Sequence, residues 1–194
     1  NQGNTMNIPM VDLKGQYETL KPEIDSAILQ ALGETRFILG PNVQAFDQEA
    51  AQYLGVRHAI SCASGTDALH LALLAAGIQP GDEVITSAFT FIATAEAIRY
   101  HGAVPVFVDI QAHSLNLDPQ QVSAAITPKT RAIVPVHLFG QAADMDEIQA
   151  LAEQHGLLVI EDCAQSFGSR YRDKMTGTMG CAGAFSFFPS KNLG

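Results

Sequence analysis

The stretch Ser186-Phe187-Phe188-Pro189-Ser190-Lys191 puts an amine among apolar and small neighbours, three residues from the end of a 194-residue chain. A lysine held away from water is a ready nucleophile for an aldehyde; a lysine in a solvated loop is not. Asp162 closes the apolar run Leu157-Leu158-Val159-Ile160-Glu161. A carboxylate at the end of a buried strand needs a cation or hydrogen-bond donors, because burying it unpaired is costly. A protonated pyridine nitrogen is one such partner. Arg170, or the N–H groups of the next loop, are others. Ser64-Gly65-Thr66 lies between an apolar run and a helical pattern. A helix start presents free N–H groups, and glycine lets a phosphate approach the backbone. The same residues also suit an ordinary N-cap. Ser186 offers a hydroxyl to such a phosphate or to its own backbone. Phe89 and Phe91, beyond Thr86-Ser87-Ala88, suit either stacking on a planar ring or core packing. An amine, a strand-end carboxylate and an anion-binding helix start together suggest a pyridoxal phosphate (PLP) site.

These groups need elements to position them. Leu13, Leu20, Ile24, Ile28 and Leu32 recur at helical spacing and predict an amphipathic helix over 12–32, with a second over 43–54 ending at Gly55. From there short apolar runs alternate with helical ones. Strands are expected at 58–62, 83–86, 104–109, 131–136, 157–160 and 184–188. Helices are expected at 66–76, 91–101 and 145–155, with a short one ending near Ile126. Charge-poor strands alternating with ten-residue helices define an α/β domain with a mostly parallel sheet covered on both faces. Ligands of such sheets gather at the carboxyl ends of the strands, where 64–66, 89–91, 162–165 and 186–191 all fall.

Composition narrows the partners. Eleven basic against twenty acidic residues give a net charge of −9, and 47% of the residues are hydrophobic. That balance argues against nucleic acid and anionic membranes. No apolar stretch is long enough to span a bilayer. Cys62, Cys163 and Cys181 lack metal-type spacing, and three cannot all pair in one chain, so they read as reduced thiols of a cytoplasmic protein. Cys62 and Cys163, at the ends of apolar runs, are expected as buried filler. The six histidines show no ligand spacing, so no metal is expected; His137 alone falls near the site edge. Residues 1–5 read as a tag remnant ahead of Met6, residues 6–55 as an N-terminal helical segment packing on the main domain, and 56–194 as that domain.

Taken in order, several segments resemble the DegT/DnrJ/EryC1/StrS family of PLP-dependent sugar aminotransferases. They include Ile8-Pro9-Met10-Val11-Asp12-Leu13, Phe37-Ile38-Leu39-Gly40-Pro41, Ser64-Gly65-Thr66-Asp67-Ala68-Leu69 and Pro80-Gly81-Asp82-Glu83-Val84-Ile85. Phe89-Thr90-Phe91, Val134-Pro135-Val136-His137-Leu138-Phe139-Gly140, Glu161-Asp162-Cys163-Ala164-Gln165 and the Ser186–Lys191 stretch continue the match. The resemblance implies the type I, aspartate-aminotransferase-like fold. It implies that Lys191 binds PLP covalently, Asp162 pairs with the ring nitrogen, and Gln165 approaches the ring hydroxyl. Gly65, Thr66 and Ser186 would hold the phosphate, and Phe91, better placed than Phe89, would stack on the ring. It further implies an amino donor such as L-glutamate, a keto-sugar on a nucleotide as acceptor, and a homodimer with sites at the interface. Family members carry a second, smaller domain after the lysine segment, which this chain is expected to lack. A sugar dehydratase of the same family, or a non-catalytic PLP- or nucleotide-binding regulator, are the alternatives. Family dehydratases carry histidine in place of the lysine.

Overall fold

The computed structural model describes residues 12–193. The expected tag remnant, the Ile8–Val11 end of the first motif and Gly194 lie outside the described residues. The chain divides into two compact units, residues 1–49 and 50–194. The first holds α1 (Leu13–Glu34), whose N-cap Asp12 accepts the Gly15 N–H at 2.9 Å. Thr35 ends the helix at φ 53°, and none of its residues is buried. The next helix, α2 (Pro41–Leu54), begins on proline, which lacks only an N–H the first turn would leave unused.

In the second unit, α3 (Gly65–Ala75) leads into β1 (Glu83–Ser87), α4 (Ala93–Tyr100), β2 (Val104–Val108), α5 (Pro119–Ala125) and β3 (Thr130–Val134). Then come α6 (Met145–His155), β4 (Leu158–Cys163), a hairpin of β5 (Arg170–Tyr171) and β6 (Lys174–Met175), and β7 (Ala182–Phe185). The main sheet runs β2-β1-β3-β4-β7, with every pairing parallel. Strand period 2 divides its side chains between two cores. Val84, Ala132, Val134, Ile160 and Ala184 pack with Leu69, Leu73 and Ile98 of α3 and α4. Ile85, Ile133 and Val159 pack with Val122 of α5 and Met145, Ile148 and Ala152 of α6. The α/β architecture expected from the alternation is therefore the one observed. The order reverses between β1 and β3, so the crevice where such sheets bind ligands lies above those two strands.

Several local expectations are corrected. Residues 58–62 form no strand: no neighbouring strand pairs with them among the described residues, and Ile60 is 84% exposed. A short run that is half polar holds no ladder without a partner's N–H and C=O groups. Cys62, expected as buried filler, is exposed with it, whereas Cys163 is buried as expected. β3 stops at Val134 because Pro135 has no N–H to give a ladder. Pairing resumes as a single bridge between Val136 and Asp162. β4 runs on to Cys163, so Asp162 sits inside the strand and not beyond it. The β5–β6 hairpin was not expected. Its turn puts Arg172 at φ 52°, without the Asn-Gly or Asp-Gly signature that marks such turns.

Candidate active site

Asp162 is the best-defined group at the carboxyl edge of the sheet. Its backbone is bracketed by β3's extension: its N–H donates to Pro135 O at 2.9 Å and its C=O accepts from His137 N at 3.0 Å. The side chain, 4% exposed, lies on the α3–α4 face. Oδ2 accepts from Thr94 Oγ1 at 2.7 Å, and Oδ1 from the Ala164 N–H at 3.1 Å. Burial raises its pKa above the ordinary carboxyl value. The Thr94 and Ala164 bonds, and then the positive charge of Lys191, oppose that rise without cancelling it. Arg170 is not its partner; that guanidinium donates to Asp173 O.

Thr94 is the site residue that sequence reasoning missed. It is the second residue of α4, 68 positions from Asp162, on the face the helical pattern assigns to the core. Its hydroxyl lies 3.2 Å from Thr90 Oγ1 and 3.4 Å from Phe91 O. The segment carrying Phe91 is thereby tied to the carboxylate. The Phe91 ring itself is 71% exposed, and Phe89 is exposed beside it.

The start of α3 meets the end of β7. Ser64 is an N-cap, its Oγ accepting the Asp67 N–H at 3.1 Å, so the capping reading of this motif holds. The cap bond leaves the N–H groups of Gly65 and Thr66 at the head of the helix. A Cβ on Gly65 would lie 2.7 Å from Ser186 Cβ and 3.2 Å from Ser186 Oγ. Only glycine permits this approach, which sets a hydroxyl beside two helix-start amides, the donor set an anion requires.

Gln165 Oε1 accepts the Phe139 N–H at 2.8 Å. Phe139 takes a left-handed φ of 54°, an unfavourable backbone for a residue with a Cβ. With its oxygen taken, Gln165 has its amide N–H groups left to donate. Lys191 is half-buried, and its N–H donates to Phe188 O at 2.7 Å. Its neighbours Phe188, Pro189, Ser190, Asn192 and Leu193 are exposed, not packed away as their character suggests. Asn192 Oδ1 accepts the Phe167 N–H at 3.2 Å, anchoring the lysine segment to the loop after β4. Phe167 stacks on Tyr53 and meets Phe185 and Phe187 edge-on.

His137 lies behind the site edge, fully buried with Glu161. The ligand atoms of His137, Glu161 and Cys163 lie within 4.8 Å of one another. Both Glu161 oxygens already accept two hydrogen bonds each, one of them from His137. The group is a hydrogen-bonded network. No helix among the described residues is long and apolar enough to cross a membrane.

A parallel sheet with helices on both faces, and with these groups at its carboxyl edge, is the fold of the PLP-dependent aminotransferases. The chain belongs to the DegT/DnrJ/EryC1/StrS aminotransferase family, whose model matches residues 18–194. It is 55% identical over 97% of its length to a pleiotropic regulatory protein of Geobacillus stearothermophilus, covering 51% of that protein. It is 54% identical over 96% of its length to a UDP-N-acetyl-3-dehydro-alpha-D-glucosamine 3-aminotransferase of Acidithiobacillus ferrooxidans, again covering 51%. S. venezuelae DesV, solved in complex with a ketimine intermediate, matches with a TM-score of 0.93 at 47% identity, over 98% of this chain and 51% of DesV. The chain therefore spans about half the length of the relatives it matches.

Proposed function

We propose that this chain supplies the PLP-binding domain of a cytoplasmic, homodimeric aminotransferase. It transfers an amino group from L-glutamate to a keto-sugar carried on a nucleotide, in amino-sugar synthesis. The observation that carries the reading is Asp162, a buried carboxylate at the carboxyl edge of the sheet whose hydrogen-bond donors, Thr94 Oγ1 and the Ala164 N–H, are both neutral. Burial raises its pKa by more than its neighbours lower it, and a protonated ring nitrogen would offset that cost.

When bound, PLP supplies an electron sink for the charge left at the substrate carbon. The protein does the rest. Asp162 holds the ring nitrogen protonated. The amides of Gly65 and Thr66, with the Ser186 hydroxyl, take the phosphate. Gln165 donates its amide to the ring hydroxyl, and Phe91 covers the ring. Lys191 would hold the cofactor through Nζ and, when free, would move the proton at the substrate carbon as base and then acid.

The test is an absorption spectrum of the purified protein before and after L-glutamate. A visible band that glutamate abolishes, with 2-oxoglutarate released, supports the reading. No band after added PLP overturns it. A regulatory reading is favoured by the name of the G. stearothermophilus relative; a band that neither glutamate nor any other amino donor changes would support that instead. Lys191 counts against the dehydratase reading.

A further inference from the structure

Glu161, next to Asp162 on β4, points to the opposite face of the sheet and is 0% exposed. Oε1 accepts the N–H groups of Met179 at 2.7 Å and Gly180 at 2.6 Å. Oε2 accepts the Gly177 N–H at 2.8 Å and His137 Nε2 at 2.9 Å. His137 Nδ1 accepts the Ala143 N–H at 3.0 Å, so Nε2 is the ring nitrogen that donates to Glu161. Four donors surround one carboxylate, and a proton on it would displace one of them. Three of the four residues of 177–180, Gly177, Met179 and Gly180, are tied to β4 through this one side chain.

The gathered loop leads straight into β7, and the fit along the way leaves no slack. Cys181 N–H donates to Val159 O at 2.8 Å, and Gln149 Nε2 donates to Met179 O. A Cβ on Gly180 would collide with Val159 O, one on Gly183 with Gly177, and one on Gly177 with the Phe185 ring. β7 then pairs Gly183 with Glu161, Ala184 with Asp162 and Phe185 with Cys163. The next residue is Ser186, which meets Gly65. A one-residue slip of β7 would turn Ser186 to the other face of the sheet.

We propose that Glu161 is a positioning residue for the cofactor segment, its carboxylate setting the register of β7 so that Ser186 meets the head of α3 and Lys191 reaches the Asp162 edge. The cofactor half of this proposal rests on the PLP reading above; the register half stands on the apoprotein alone.

Glu161→Gln is the direct test, because its amide N–H groups face two donors while its oxygen keeps only two of the four bonds. Amide hydrogen exchange in the apoprotein should rise about tenfold across 182–187, while β1 and β3 keep wild-type rates. PLP affinity should fall by about tenfold in the same variant. Glu161→Asp keeps the charge but is one methylene short; should Glu161→Gln not fold, it is read in its place and shows the same local rise, smaller in size. Wild-type exchange across 182–187, or an equal rise in all strands, overturns the proposal. If the wild-type protein takes up no PLP, the functional reading falls, and the exchange measurement still decides the register.

Discussion

The role proposed for Asp162 comes from an environment that works against its charge. Asp162→Asn would keep its bonds: Oδ1 can accept the Ala164 N–H, and Nδ2 can donate to Thr94 Oγ1, whose hydroxyl then turns to Phe91 O. The sign follows from the raised pKa of the aspartate. The folded state binds its proton more tightly than the unfolded state does, so wild-type stability falls as pH rises through the window above the ordinary value of 3.8. Asp162→Asn should abolish that fall, making the apoprotein at least as stable as wild type at neutral pH in urea melts, while PLP binding weakens. Thr94→Val removes a hydrogen bond to a charged group. It should cost about 1.5–3 kcal/mol in the same melts and weaken PLP binding. Lys191→Ala should abolish turnover; ordinary rates in that variant would remove Lys191 from the mechanism. Lys191, Asp162 and Gly65 could be singled out in the sequence because each breaks a local pattern: a charge after an apolar run, a glycine where a helix begins. Thr94 breaks none. Its role comes from a contact made by folding, across 68 positions.

At the scale of elements, the site is where the head of α3 and the tail of β7 are brought together. Gly65→Ala tests that meeting, since its Cβ would sit 2.7 Å from Ser186 Cβ and must push the two apart. Overpacking of this kind costs about 1–3 kcal/mol. PLP affinity should fall while the affinity for pyridoxal, which lacks the phosphate, changes little; an equal loss for both would detach Gly65 from the phosphate. β4 carries a second consequence in Glu161. Burial pushes its pKa up, but the bonds from His137, Gly180 and Gly177 outweigh burial and leave it below 4.5. A depressed carboxyl pKa contributes stability above its unfolded value and loses it as pH falls through the folded one. The other titratable groups around it are His137, Asp162, Cys163 and Cys181, both thiols pushed up chiefly by burial. Acid unfolding followed by circular dichroism should therefore show the gap between wild type and Glu161→Gln narrowing below about pH 4.5. The helices and four of the five sheet strands were legible because their periods are read directly from apolar spacing; β7, expected at 184–188, lies at Ala182–Phe185, because its small residues Ala182, Gly183 and Ala184 carry little apolar signal while the exposed Phe187 and Phe188 beyond it do. The hairpin and the failed strand at 58–62 were not. One depends on a turn without glycine, the other on a neighbour that no local pattern announces.

At the scale of the whole molecule, the carboxyl edge of the sheet displays more aromatic surface than an isolated domain needs. Phe89, Phe91, Phe139 and Phe188 are all exposed around the candidate site. Large apolar side chains exposed at one edge suit association or ligand binding, which agrees with the proposed homodimer and its interfacial sites. Opposing this, each chain carries a net charge of −9, so two copies repel. Salt shortens the reach of that repulsion to about 8 Å at physiological ionic strength and leaves apolar burial intact. Self-association measured by sedimentation should therefore tighten as salt rises from low to physiological levels. On the proposed reading, in which the partner completes each site, transaminase activity per protomer should fall on dilution through the same concentration range in which the dimer dissociates. Activity that stays constant while the sedimenting species halves in mass would mean that one chain completes its own site. The aromatic edge would then be a substrate-binding surface alone.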